Sequence, residues 1–465
     1  MVALARVVVA APASGQGKTS VATGLLSALR ARGMTVSGHK VGPDYIDPSY
    51  HGLAAGRPGR NLDPWLVGEQ RIAPLFARAA TTPTTADVCV IEGVMGLFDG
   101  ASGHEGFAST AHVARLIGAP VLLVIDASGV GRSVAAIAHG FASFDPSVRL
   151  AGVIFNRVGS PRHEQILREA MAETGLPVLG AIGRHSSLVT PSRHLGLIPA
   201  AERCEQAMQT VQALGAAVAD GVDLDAVVRI ARSAPPLETE AVADLDDAPA
   251  PIGHRGAPVR IAVAGGAAFT FGYAEQSELL AAAGAEVVSF DPLQDERLPE
   301  GVDGLVIGGG FPESHAQQLA GNRAMCADVA ALARAGAPVA AECAGLLYLA
   351  RSLDGHRMCG FLDAEAVMSE HLTLGYRDAV ATTDSALAIA GTRVRGHEFH
   401  RTIYRAGPGA IPAWRWRRGA DTVADGFVAG NVHASYLHLH WAGIDGIAQT
   451  YVAACASARS ARLAR

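Results

Sequence analysis

The stretch RVVVAAPASGQGKTSVATGLLSALRARG, residues 6 to 33, constrains the fold more than any other part of the chain. Its β-branched run gives way to small residues and glycine, then to apolar positions at helical spacing. This pattern predicts a buried strand, a tight loop and a helix ending at Gly33, a natural residue for the position just past a helix. A glycine-rich loop between a strand and a helix is a phosphate cradle. Gly15 and Gly17 let the backbone approach a phosphate closely, with Gln16 between them. Lys18 would reach the outer phosphates, and the Thr19 hydroxyl would ligate magnesium. Pro12 stands where the usual loop has its first glycine, but the SGQGKT core is intact.

The first half continues with TVSGHKV, DVCVIEG, PVLLVIDA, LAGVIFN and PVLGAIG, apolar runs separated by helical patterns. Continuous runs of this length suit parallel strands covered on both faces, so the expected fold class is α/β with a mainly parallel sheet over residues 1–232. Residues 233–257, SAPPLETEAVADLDDAPAPIGHRGA, are rich in proline, alanine and acids without a period, and read as a linker. A second alternating series, VRIAVAGG, AEVVSFDP, VDGLVIGGG and APVAAECAG, predicts a second α/β domain over 258–465. The closing ARSARLAR is expected to fray.

Composition narrows the function classes. A formal net charge of -6 with dispersed arginines lacks the basic footprint of a nucleic-acid binder. No run approaches the roughly 18 uninterrupted apolar residues of a membrane span, and the start MVALARVVVAAP does not resemble a secretion signal. The expectation is a soluble cytoplasmic protein with neither membrane nor nucleic-acid partners. Six cysteines without a CxxC pair indicate neither a disulfide framework nor a zinc site. Sharper than these is the lysine count: the 38 basic residues include only Lys18 and Lys40, every other one being arginine. A site needing a compact ammonium would resist exchange for a planar guanidinium.

Lys40 ends a predicted strand and is followed by VGPDYIDPSYH, which places Asp44 and Asp47 at the sheet edge where open α/β folds bind ligands. Both aspartates also suit a turn-rich segment. Glu92, in VIEGVMGLFDG, is a carboxylate at another strand end. It would share magnesium with Thr19 and one of the upstream aspartates. Asp99 either joins that group or forms the turn before Gly100.

In the second half, APVAAECAGLLYLA sets Cys343 between a strand and a helix, the arrangement of a nucleophile elbow. Ala341 replaces one flanking glycine of that pattern, and Gly345 is kept. GGGFPE, residues 308 to 313, offers the amides of Gly309 and Gly310 to an oxyanion. NVHASYLHLHW supplies His433, His438 and His440. The first suits a structural role, and either of the other two could activate the cysteine.

The phosphate loop, KVGPDYIDPSYH, IEGVMGLFDG, AECAGLLYL, RGHEFH and SYLHLHW, in this order, resemble the cobyrinic acid/hydrogenobyrinic acid a,c-diamide synthase family over essentially the whole chain. PFKAQNMSNN, characteristic of the related cobyric acid synthases, is missing from it. The resemblance implies a dethiobiotin synthetase-like P-loop domain followed by a class I-like, flavodoxin-like glutamine amidotransferase domain. It further implies ATP and Mg2+ as cofactors, with L-glutamine and a corrinoid as substrates. ATP would phosphorylate corrinoid carboxylates, and ammonia from glutamine would displace the phosphate. A homodimer is compatible with this plan.

Carried over by motif, Gly15, Gln16, Gly17, Lys18 and Thr19 would bind ATP, with Asn156 near the adenine, and Lys40 would stabilise the transferring phosphoryl. Thr19, Asp47 and Glu92 would hold the metal, with Asp44, Tyr45 and Asp99 near the substrate carboxylate. Cys343 would form the glutamyl thioester and His438 would activate it. Where the family reads ECGG, this chain reads ECAG at Ala344. AAFTFGYAE, residues 267 to 275, lacks a titratable nucleophile and is assigned to interdomain or corrinoid contact. Competing readings are an amidoligase on another tetrapyrrole, such as nickel sirohydrochlorin, and a nucleotide switch that does not amidate.

Overall fold

A computed structural model describes residues 2–184, 204–239 and 258–464, with the backbone of 192–193 and 196–197. The chain divides into two compact units, Met1–Val242 and Ala243–Arg465. Residues 240–257 of the expected linker lie outside the described residues.

In the first unit the apolar runs become a seven-stranded sheet: β1 (Arg6–Ala10), β2 (Val36–Val41), β3 (Arg60–Leu62), β4 (Val88–Glu92), β5 (Val121–Asp126), β6 (Leu150–Val158) and β7 (Val178–Gly183). Their order is β3-β2-β4-β1-β5-β6-β7, and every pair is parallel. Edge strand β3 is too short and polar to stand out in the sequence. All residues of β1, β2 and β4 are buried, as a sheet covered on both faces requires. Helix α1 (Lys18–Ala31) follows the glycine loop and stops where Gly33 takes φ +83°. Arg6, the first residue of central strand β1, is buried, but its guanidinium donates to the carbonyls of Leu4 (2.8 Å), Pro235 (2.7 Å) and Ile117. Leu237 pairs with Val2, so the first unit's ordered chain extends at least that far.

Register sets up the reacting edge. Lys40 is the partner of Glu92 on β4 and of Asn61 on β3, and Glu92 is also the partner of Val9 on β1. Three strands thereby deliver a cation, a carboxylate and the start of the phosphate loop to one end of the sheet.

The second unit holds a six-stranded sheet in the order Ala285–Phe290, Val259–Ala264, Gly304–Ile307, Val339–Glu342, Val432–Ser435, Phe427–Ala429, parallel except for the last pair. This sheet with its helices is the expected second α/β domain, and the chain adds a further sheet to it. After the helix Ala344–Leu349 the chain forms a second sheet around two long antiparallel strands, Ala364–Ala381 and Arg393–Ala406. Exposed and covered positions interleave along both strands, as expected where one face meets solvent. The tail expectation is corrected. ARSARLAR lies largely within the helix Ile447–Leu463, where Arg459 and Arg462 donate to Asp303 at 3.3 and 3.0 Å. No helix among the described residues is long and apolar enough to cross a membrane.

Candidate active sites

The first site forms around Lys40. Its ammonium donates to Asp47 Oδ2 at 2.7 Å and Glu92 Oε1 at 2.8 Å, with Asp44 Oδ2 3.9 Å away. Thr19, on the first turn of α1, donates to the same Glu92 oxygen at 2.5 Å and lies 3.3 Å from the same Asp47 oxygen. His51, on helix α2 (Asp47–Ala55), meets the other Glu92 oxygen at 2.8 Å. Both side chains of that pair are fully buried. Asp44 accepts from the amides of Ile46 (2.8 Å) and Asp47 (3.1 Å), fixing the entry to α2 as well as facing Lys40. Tyr45 is buried beside it in the chain.

Burial works against every charge here. At Lys40 the carboxylates of Asp47, Glu92 and Asp44 outweigh it and hold the ammonium charged far above its usual range. At Glu92 burial is likewise outweighed, by Lys40 and His51, and the pKa falls below the ordinary value. Asp47 goes the other way: burial, reinforced by Asp44 and Glu92, pushes its carboxyl well up. Three carboxylates confront one ammonium, so the group favours a proton or a further cation. The oxygens of Thr19, Asp47 and Glu92 are hard donors of the kind magnesium takes. No cluster of three His, Cys, Asp or Glu side chains suited to a metal occurs among the described residues. A cation held here would therefore draw its other ligands from phosphate and water.

The glycine loop is braced by side chains and backbone from β5 and β6. Gln16 accepts from the Asp126 amide at 2.8 Å through its side chain, and its carbonyl accepts from Asn156 Nδ2 at 2.9 Å. Asn156, expected near the adenine, thus braces the loop. Gly17 has φ +94°, and a methyl there would lie 2.1 Å from Asn156 Nδ2. Gly15, with φ +79°, receives Arg157 on its carbonyl at 3.1 Å. Lys18 donates to Met95 O (2.5 Å) and Ala13 O (3.1 Å), and burial, then Lys40, push its pKa down to about 8. Asp99 accepts from the Gly96 amide at 2.9 Å, so of its two expected uses the structure displays the turn.

The second site forms at the elbow. Cys343 takes φ 49° and ψ -100°, an unusual conformation for a side-chain-bearing residue and the strained turn that presents a nucleophile. Its amide donates to Ser435 O at 2.7 Å, and Sγ lies 3.9 Å from Phe399 O. Burial, then Glu313, push the thiol well up, so it rests protonated and needs a base. Gly345 fits because a methyl would stand 2.2 Å from Ile307 O.

His438 and His440 separate in space. The His438 ring packs against Gly309, where a methyl would stand 2.3 Å from Cε1, and Nδ1 faces Glu342 Oε2 at 3.9 Å. His440 stacks on Tyr273 with centroids 4.2 Å apart and faces Glu275 at 3.8 Å. His433 meets Ser385 Oγ at 3.0 Å, in keeping with a structural role.

One expectation changes. Gly309 exchanges both backbone hydrogen bonds with Phe271 at 3.0 Å, so its amide is already engaged and does not serve as an oxyanion donor. Within the second unit, the segment 267–275 sets Phe271 on Gly309 and Tyr273 and Glu275 on His440. Glu342 and His51 were missed as well. A carboxylate before a cysteine and a histidine inside a helix carry no distinctive spacing.

A family model for the CobQ/CobB/MinD/ParA nucleotide binding domain matches residues 7–198, and one for the CobB/CobQ-like glutamine amidotransferase domain matches residues 260–445. The class is therefore a nucleotide-binding α/β domain joined to a glutamine amidotransferase. Among full-length relatives, the hydrogenobyrinate a,c-diamide synthase of Streptomyces coelicolor is 57% identical over 97% of this chain and 98% of its own. That of Mycobacterium bovis is 54% identical over 98% and 99%, and the cobyrinate a,c-diamide synthase of Gloeobacter violaceus 43% over 97% and 96%. The chain belongs to this a,c-diamide synthase family and is a carbon–nitrogen ligase with glutamine as amide donor.

Proposed function

We propose that this protein amidates the a and c carboxylates of a corrinoid in cobalamin biosynthesis, using ATP to activate each carboxylate and glutamine to supply the nitrogen. The observation carrying this reading is the Lys40 ammonium, seated 2.7 and 2.8 Å from Asp47 and Glu92 beside Thr19 of the phosphate loop. Gly15, Gln16, Gly17 and Lys18 hold the triphosphate, and Lys40 follows charge onto the γ-phosphoryl as it moves to the substrate carboxylate. Asp44 and Tyr45 orient that carboxylate, with Asp99 at the rim. Thr19, Asp47 and Glu92 would hold Mg2+, which, when bound, neutralises phosphate charge.

The carboxylate oxygen takes the phosphoryl and ADP leaves. Ammonia attacks the acyl phosphate carbon and inorganic phosphate departs. Ammonia comes from the second unit: Cys343 passes its thiol proton to His438 and attacks the glutamine amide carbon. The C–N bond breaks with the proton returning to nitrogen, and water releases glutamate from the thioester. The Gly310 amide is the remaining GGG donor for the oxyanion.

Hydrogenobyrinate is the favoured corrinoid, because relatives at 52% to 57% identity carry that name and those at 41% to 43% are named for cobyrinate. The test incubates the protein with ATP, magnesium, glutamine and, in parallel, hydrogenobyrinic and cobyrinic acids, counting amides by mass spectrometry. Two amides on the metal-free substrate are expected. ATP hydrolysis with no amide on either would overturn the reading in favour of another tetrapyrrole or a nucleotide switch.

A further inference from the structure

We infer that Glu342, the residue directly before the elbow cysteine, is the positioning residue for His438, its carboxylate facing Nδ1 and leaving Nε2 with the lone pair that accepts the Cys343 proton. This rests on the reading of Cys343 as the thiol that opens glutamine. A cysteine–histidine pair works best when a third group fixes the tautomer and steadies the imidazolium.

The geometry reaches Glu342 by several routes. It ends the strand Val339–Glu342, next to the elbow, so its backbone is held by the central sheet. One carboxyl oxygen accepts from the Leu439 amide at 3.3 Å, while the other faces His438 Nδ1 at 3.9 Å. Histidine and carboxylate are thereby tied at adjacent points of one chain segment. The His438 ring is fully buried and lies against Gly309, leaving no room on that side to swing away. Of the neighbouring histidines, His440 is engaged with Tyr273 and Glu275, and His400 with the Thr402 carbonyl at 2.8 Å and the Tyr436 ring, while His397 is the register partner of His438 across the sheet.

Energetics agree with the geometry. Burial pushes Glu342 up to about 8 and His438 well below its ordinary value, so each charge is costly alone. A carboxylate facing an imidazolium relieves both costs at the moment the thiol proton arrives. The proton moves from Sγ to Nε2, sulfur bonds to the amide carbon, and the proton departs with ammonia. Glu342 forms and breaks no bond.

The test is Glu342→Gln, which keeps an oxygen for the Leu439 amide but loses the charge. Its first readout is covalent trapping of Cys343 by a diazoketone analogue of glutamine, followed by intact mass, which needs no corrinoid. Trapping and glutaminase kcat are expected to fall by about 10²–10⁴, as when an amide replaces the carboxylate of a triad. The KM for glutamine and ammonia-supported amidation should stay within about threefold of wild type, because contacts to bound glutamine and the first unit are untouched. Glu342→Asp, retaining the charge, should recover at least about tenfold over the glutamine variant. Trapping of the glutamine variant at the wild-type rate, an aspartate variant no better than it, or no trapping of wild type would each overturn the inference. Wild-type trapping without corrinoid amidation would sink the substrate reading and leave this one standing.

Discussion

Lys40 is 5% exposed and spans two carboxylate oxygens at 2.7 and 2.8 Å, a slot sized for an ammonium. A guanidinium cannot enter it without displacing Asp47 or Glu92. Lys40→Arg is therefore expected to lower kcat by about 10²–10³ with glutamine and ammonia alike, the loss typical of one transition-state charge contact. A steady-state assay with each nitrogen donor checks this, and a fully active variant would remove the phosphoryl role. Lys18 behaves differently, because burial and Lys40 lower its pKa from 10.5 to about 8. Between those values the unfolded chain binds more protons, so Lys18 makes the nucleotide-free fold more stable as pH rises. A bound triphosphate favours the charged form, so ATP affinity should weaken above pH about 8, by up to tenfold per pH unit. Calorimetric titration from pH 7 to 9.5 would show it, and a flat affinity would contradict the assignment. The scarcity of lysine made both residues legible in the sequence. Glu342 was not, since its meaning depends on a histidine 96 positions later in the chain.

At the scale of elements, the glycine loop and the elbow are two strand-to-helix turns in which small residues prevent clashes. Gly17→Ala forces a methyl within 2.1 Å of Asn156 at φ +94°. With strain of roughly 1–3 kcal/mol at such a position, ATP binding should weaken by about tenfold or more while the circular dichroism spectrum stays unchanged. Unaltered binding would show that the loop relaxes elsewhere. The C-terminal helix offers a stability test. Asp303 is buried and accepts from the Arg260 amide (3.1 Å), Arg459 (3.3 Å) and Arg462 (3.0 Å). Asp303→Ala strands these donors, at a cost of about 1–3 kcal/mol. The melting temperature should fall by several degrees in calorimetry, and an unchanged melt would mean that the helix holds without this anchor. The last turns of this helix, ARSARLAR, alternate arginine with small residues and carry no local sign of an anchor. Asp303, across a gap of over 150 residues, holds both arginines, and the Pro258 carbonyl takes a further bond from Arg459 at 3.0 Å.

For the whole molecule, the proposed division of labour makes one variant decisive. Cys343→Ala should abolish glutamine-dependent amidation and keep most of the activity with free ammonia, measured by amide count; equal loss with both donors would refute the division. The chain itself determined much of this picture. Parallel sheets buried on both faces require continuous apolar strands, and phosphate loops require glycine at fixed offsets, so the α/β class, the P-loop and the elbow were written in local patterns. Tertiary structure decided the rest. The long antiparallel pair of the second unit, the bridge that engages Gly309, the grip of His51 on Glu92 and the separation of His438 from His440 all depend on partners distant in sequence. Local sequence specifies which conformations a segment can adopt, but a buried charge acquires its partner only when strands far apart in the chain are brought into register.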